Sequence, residues 1–270
     1  MSGWTKAHEA IKDQLGKTGV RALVVEGDDD RDFFEALLNR HSPGWESGWV
    51  IGSANGKGNV SKILTAESIW IGVVDCDEWT KNAATAAAAA LGGRLHVLPR
   101  FCMESYLIHA DELWASLPGA KQSKVAGGLT MFTQAIHSDI DQWVRHGALW
   151  HAVNPLWAGL RAKGFKEALL DLQAAQDDTG IQNKLQEWHD HLEPIQIFAE
   201  FRRLRATASV QPLANQLNDW VHGKRRYHEH VVPALNRLIE QQSAKEWFTD
   251  LLRTLNVPAD LNPLWTAMGL

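Results

Sequence analysis

Four short apolar runs, each closed by a turn and separated by helix-like stretches, constrain the first hundred residues most. They are 21-RALVV-25, 48-GWVIG-52, 69-IWIGVV-74 and 94-RLHVL-98. Runs this short and continuously apolar suit strands buried on both faces, and their alternation with helices implies a parallel sheet. Between them, Phe33, Phe34, Leu37 and Leu38 fit a 3.6-residue period. The alanine run over 83–90 is a strong helix former that Gly92 and Gly93 end. Further helices are predicted over 5–15, over about 60–67 after the turn 53-SANGKGN-59, and from near Met103. Asp28 to Asp30 are the expected N-caps of the helix after the first strand.

Beyond about residue 110 strand character disappears. Helical periodicity recurs over 165–175, 181–206, 211–222 and 228–255, punctuated by prolines. The expected organisation is an α/β domain over 1–110 followed by a mostly helical C-terminal region over 111–270.

The chain of 270 residues carries 27 Lys and Arg against 32 Asp and Glu. That balance excludes a protein coated in positive charge, so any polyanion surface must be local. The clusters available are 201-FRRLR-205 and 222-HGKRRYH-228. Thirteen tryptophans against two tyrosines imply a core rich in indole rings, and 143-WVRHGALWHAVNPLW-157 reads as core or interface. Two cysteines give no disulfide framework. The first residues lack a signal-peptide pattern and no apolar run approaches a membrane span, so a cytoplasmic protein with no membrane partner is expected.

In parallel α/β sheets, ligands gather at the carboxyl ends of the strands. Two acidic clusters stand at such ends. Glu26-Gly27 and Asp28 to Asp30 follow the first strand, and Asp75-Cys76-Asp77 follows the third. An extended chain puts Asp75 and Asp77 on one side. Three carboxylates converging on one crevice call for a compensating cation, and hard oxygen donors select Mg²⁺ or Mn²⁺. Helix entrances and acidic turns account for the same residues without any ion, and spacing alone does not choose.

The combination of strand–Glu26–Gly27–x–x–Asp30 with strand–Asp75–x–Asp77 resembles the TOPRIM domain, over roughly residues 20–110. That resemblance implies a Rossmann-like parallel sheet flanked by helices and a Mg²⁺- or Mn²⁺-dependent phosphodiesterase site. The segment 98-LPRFCMESYL-107 is similar to a stretch of the OLD-like TOPRIM nucleases, with Ser105 where they have Asn. By that likeness Glu104 joins Glu26, Asp30, Asp75 and Asp77 as a metal ligand, although a first-turn acid beside a helix dipole explains it equally. Catalytic roles fall to Glu26, Asp75, Asp77 and Lys224, the last from 222-HGKR-225. Lys57, Lys224, Arg225 and Arg226 would grip nucleic acid, against the ordinary reading of such a run as a solvated face.

A stand-alone TOPRIM domain with a helical remainder resembles the effector of two-component anti-phage systems, such as PARIS. The resemblance implies a toxic endonuclease held by an ABC-type ATPase partner, a homodimer when active, and RNA, tRNA in particular, as target. A partner-independent DNA nickase or RNA-maturation nuclease, and a non-catalytic TOPRIM-like adaptor, remain open alternatives. Other chemistries lack their signatures. The 52–58 segment misses Walker A spacing, 189-HDH-191 and 228-HEH-230 diverge on a helix, and neither HExxH nor GxSxG occurs.

Overall fold

A computed structural model describes residues 3–16, 20–77, 79–165, 167–170 and 173–270. The first half alternates strand and helix: α1 (Gly3–Leu15), β1 (Arg21–Val25), α2 (Asp28–His41), β2 (Trp49–Ser53), α3 (Lys57–Ala66), β3 (Ile71–Val74), α4 (Lys81–Ala90) and β4 (Leu95–Val97). The strands form one parallel sheet in the order β2-β1-β3-β4. Every strand expected from the apolar runs is present, within two residues at each end.

This strand order decides where chemistry can sit. From β1 the chain crosses through α2 to β2 on one side, then through α3 to β3 on the other. The crossovers diverge between β1 and β3, and that divergence opens a crevice outside their carboxyl ends. Glu26 and Asp75 are the residues that follow those two ends.

Both faces of the sheet are covered, which explains the unbroken apolar strands. One side packs Ala22, Val24 and Val74 with Ile11 of α1 and Val60, Ile63 and Leu64 of α3. Phe33, Phe34, Leu37 and Leu38 of α2 are buried as their period requires. Phe33 lies against Tyr106 and Phe34 against Trp265. Full burial of such a side chain contributes roughly 1.5–3 kcal/mol. Five tryptophans, Trp45, Trp49, Trp70, Trp247 and Trp265, are buried, while Trp157 is 55% exposed.

The chain divides into two compact units, Met1–Ser138 with Leu217–Leu270, and Asp139–Gln216. The first continues past β4 through a 3-10 turn (Met103–Leu107), α5 (Ala110–Ser116), α6 (Gly119–Gln122) and α7 (Gly128–Ile136). The second holds α8 (Ile140–Ala162), α9 (Asp178–His191), α10 (Pro194–Ser209) and α11 (Leu213–Asn215). Leu217–Leu270 adds α12 (Gly223–Arg226), α13 (Val232–Leu238), α14 (Ala244–Leu252) and α15 (Asn262–Met268) to the first. The expected division at residue 110 therefore falls inside a compact unit. Side chains such as Trp265 and Tyr227 complete the core of the sheet-bearing unit from far along the sequence.

Within the second unit, α8 packs on α10 through Ala148, Ala152 and Phe201. The tryptophan-rich segment 143–157 is part of α8, a single helix despite Pro155. The helix expected over 165–175 is only partly testable, because residues 166, 171 and 172 lie outside the described residues. The rest of that stretch forms turns and one 3-10 turn. Among the described residues no helix is long and apolar enough to cross a membrane.

Candidate active site

The carboxylates after β1 and β3 are brought together, each oriented by a backbone amide. Glu26 accepts a hydrogen bond at Oε1 from the Asp75 N–H at 2.8 Å. Asp30 accepts at Oδ2 from the Gly27 N–H at 2.8 Å. Asp75 accepts at Oδ1 from the Met103 N–H at 3.1 Å. The last bond ties the strand end to the turn that carries Glu104. One amide on one oxygen fixes the direction of the carboxylate, as outer partners do for metal-ligating groups.

The N-cap of α2 is Gly27, not one of the aspartates. Asp28, Asp29 and Asp30 occupy the first turn, where the helix N-terminus favours negative charge. Asp28 and Asp29 are exposed, while Asp30 turns back onto the N-cap amide and into the acidic group. Three neighbouring aspartates thus split into one interior and two surface residues.

Asp77 departs from the extended geometry expected of it. Its φ is +45°, in the left-handed region, so the period of two ends at Asp75. The turn is fixed by the Asp77 N–H donating to the Phe101 carbonyl at 2.7 Å. Asp77 then receives Lys57 Nζ at 3.0 Å, and that ammonium also lies 4.8 Å from the centre of the Trp79 ring. Lys57 is therefore built into the acidic site. The turn that presents it is fastened to β1. Gly56, with φ at +123°, donates its N–H to the Glu26 carbonyl, and Asn59 Nδ2 bonds the carbonyls of Ala54 and Asn55.

Glu104 is buried in the 3-10 turn. Lys224 is exposed at the start of α12, with Nζ 3.8 Å from Glu104 Oε1. The two segments meet because residue 223 is glycine. A Cβ there would stand 2.3 Å from Ser105 Oγ and 2.8 Å from Cys102 Sγ. The other bases of this cluster go elsewhere. Arg225 is exposed and pairs with Glu229. Arg226 is fully buried and donates to the Ile136 carbonyl at 2.6 Å, which corrects its expected role in gripping nucleic acid.

Electrostatics mark the cluster off. Burial pushes the Asp75 carboxyl well above the ordinary range, and Asp30, Asp77, Glu104 and Glu26 push it further. Burial also raises Asp30, to about 7, against the opposing Gly27 amide and with help from Glu26, Glu104 and Asp29. A carboxyl raised first by burial and further by neighbouring carboxylates is one whose charged form a nearby cation would favour. Among the described residues, no group of three or more His, Cys, Asp or Glu side chains is placed so that it could hold a metal ion. The donor chemistry nevertheless fits a hard divalent cation, since the converging groups are all carboxylates.

One contributor left no local signal in the sequence. Arg100 is buried and uses its whole guanidinium: Nη1 and Nη2 bond Glu112 at 2.7 and 2.8 Å, and Nε bonds Asp260 at 3.0 Å. It also lies 4.1 Å from the centre of the Tyr106 ring. This fork braces the turn holding Glu104 against α5 and the C-terminal segment. Its partner Asp260 is 160 residues away, beyond any motif.

No protein-family model and no curated protein matches the chain.

Proposed function

We propose that this protein is a metal-dependent phosphodiesterase, an endonuclease of the OLD-like TOPRIM type. One observation carries the reading. At the switch point of a parallel sheet, Glu26, Asp30, Asp75, Asp77 and Glu104 lie under partial cover within reach of one another's charge, so that burial first and the neighbouring carboxylates second raise Asp30 and Asp75 above their ordinary range. Glu26, Asp75 and Asp77 would hold Mg²⁺ or Mn²⁺, with Glu104 assisting and Asp30 shaping the set. A cation bound there supplies activation of water and neutralisation of phosphate charge in the transition state.

The chain's own residues do the rest. Glu26 fixes the backbone at Asp75 and is placed to exchange a proton at its carboxylate. The Met103 amide holds the direction of Asp75. Lys57 offsets charge at Asp77, and exposed Lys224 stands beside Glu104 where a cleaved phosphate oxygen would need a cation. By the same resemblance, the protein acts as a toxic defence effector restrained by an ABC-type ATPase, active as a dimer on RNA, tRNA above all.

The test sets purified wild type beside Glu26→Ala, with Mg²⁺ or Mn²⁺, against tRNA, mRNA and plasmid. Cleavage by wild type and its loss in the variant support the reading, and the substrate cut separates RNA from DNA chemistry. Equal cleavage and equal toxicity in both proteins sink the catalytic assignment. If dimeric wild type freed of any partner cuts none of the three, a docking role replaces it.

A further inference from the structure

A cavity of about 120 Å³ opens beside Glu104. Its walls include Glu104 itself, the aromatic rings of Tyr227 and Phe248, and Asp29, with His228 and Lys245 exposed around them. Tyr227 is fully buried, and its hydroxyl donates to the Ala244 carbonyl at 3.0 Å, which pins the start of α14 against the cavity. The Phe248 ring meets it edge-on, with centroids 6.4 Å apart and planes at 73°. Phe248 remains half-buried and faces a second cavity of about 300 Å³, which shares Asp29 and Lys245 with the first.

We propose that this cavity is a base pocket, which takes one unpaired nucleotide adjoining the scissile phosphate and prefers an amino-bearing base. The inference rests on the phosphodiesterase reading and adds to it the feature of the substrate that the site would read. Three properties point to a nucleotide. The wall shared through Glu104 places any occupant next to the carboxylate cluster. The half-buried Phe248 ring suits a flat base, because base–aromatic stacking works with every base. Lys245 at the exposed side suits the flanking phosphate. Asp29 then supplies the selectivity. An exposed carboxylate accepts from the amino group of cytosine, adenine or guanine, whereas uracil offers only its N3–H, between two carbonyls that repel a carboxylate.

The experiment uses full-length protein carrying Glu26→Gln, so that oligonucleotides stay intact. It measures the affinity of single-stranded rA₄, rC₄ and rU₄ in Mg²⁺. The rA₄ and rC₄ strands should bind several-fold tighter than rU₄. Adding Phe248→Ala should weaken all three by about tenfold, the worth of one stack, and Phe248→Tyr should restore them. Adding Asp29→Asn should bring the three affinities together. Equal affinities in every variant, or no binding by any, overturn the pocket.

A second arm follows cleavage of random-sequence RNA by protein with Glu26 intact. If it cuts, and Asp29→Asn leaves the preferred neighbouring base unchanged, the pocket fails while the nuclease reading stands. If the binding pattern holds but nothing is cut, the nuclease reading fails and the pocket remains a nucleotide site.

Discussion

Asp30 and Asp75, beside the ends of β1 and β3, behave in the opposite way from Glu187, Asp190 and Glu200 on the helices of the second unit. Glu187 and Glu200 are drawn below their ordinary range by hydrogen bonds, from Lys184 and Lys163 for the first and from Arg203 for the second. Asp190 is lowered likewise by Gln186 and His189. Asp190 and Glu200 are exposed and Glu187 is half-buried, and in all three the partners stabilise the charge. Asp30 and Asp75 are instead raised, by burial and by one another's company. Residue type is the same in both regions, and environment reverses the sign. A fold that gathers like charges under cover accepts an electrostatic cost, and such costs concentrate where chemistry is done.

The largest test of this contrast is Asp75→Asn. It should reduce Mg²⁺-dependent cleavage by about 10²–10³, the range for loss of a group that supports transition-state charge, because it weakens the hold on the cation. The same change should raise metal-free stability by roughly 0.5–2 kcal/mol, because it removes a crowded acid. Chemical denaturation beside an activity assay reads both, and a fall in stability would break the contrast.

The next test is pH. Asp30 has its folded pKa raised to about 7, so between about pH 4 and pH 7 the folded state binds more protons than the unfolded one. Stability from this group is therefore full below about pH 4 and declines as pH rises through 7. The ceiling is roughly 4 kcal/mol at about 1.4 kcal/mol per pH unit. Melting scans of metal-free wild type against Asp30→Asn should diverge across that window, and Mg²⁺ should narrow the gap. An acid on the second unit, such as Glu200, should show the reverse slope.

Smaller in effect is Gly223→Ala, whose methyl would collide with Ser105 and Cys102. Overpacking of this kind costs about 1–3 kcal/mol. Because the displaced turn carries Glu104, apparent Mg²⁺ affinity should weaken too, as Mg²⁺-induced shifts in Tm would reveal. The smallest effect is expected for Asp32→Asn. Asp32 is exposed and pairs with its chain neighbour Arg31 in α2, so stability and cleavage should both stay close to wild type.

Much of the sheet was legible because buried parallel strands need continuous apolar runs, and 21–25, 48–52, 69–74 and 94–98 are such runs. Glu26, Asp75 and Asp77 were legible as strand-end acids for the same reason. The local geometry of the site was less so. Nothing local separates Asp30 from Asp28 and Asp29, since all three suit a first helical turn, and the choice is made by the Gly27 amide and by burial. Nor does the pattern after Asp75 reveal that the chain turns left-handed at Asp77, a turn held by the Phe101 carbonyl from a later segment.

By itself, then, the sequence determined the sheet, the order of its elements, and the acids that follow two strands, because periodicity and turn chemistry are local. Tertiary structure alone decided that β1 and β3 are neighbours, so that those acids share a crevice. It also decided that Leu217–Leu270 returns to the sheet-bearing unit, setting Lys224 beside Glu104 and burying Arg226. Those outcomes depend on contacts 48 residues apart between β1 and β3, 90 apart at Arg226 and 120 apart at Lys224, where burial and charge balance act and no local pattern reaches.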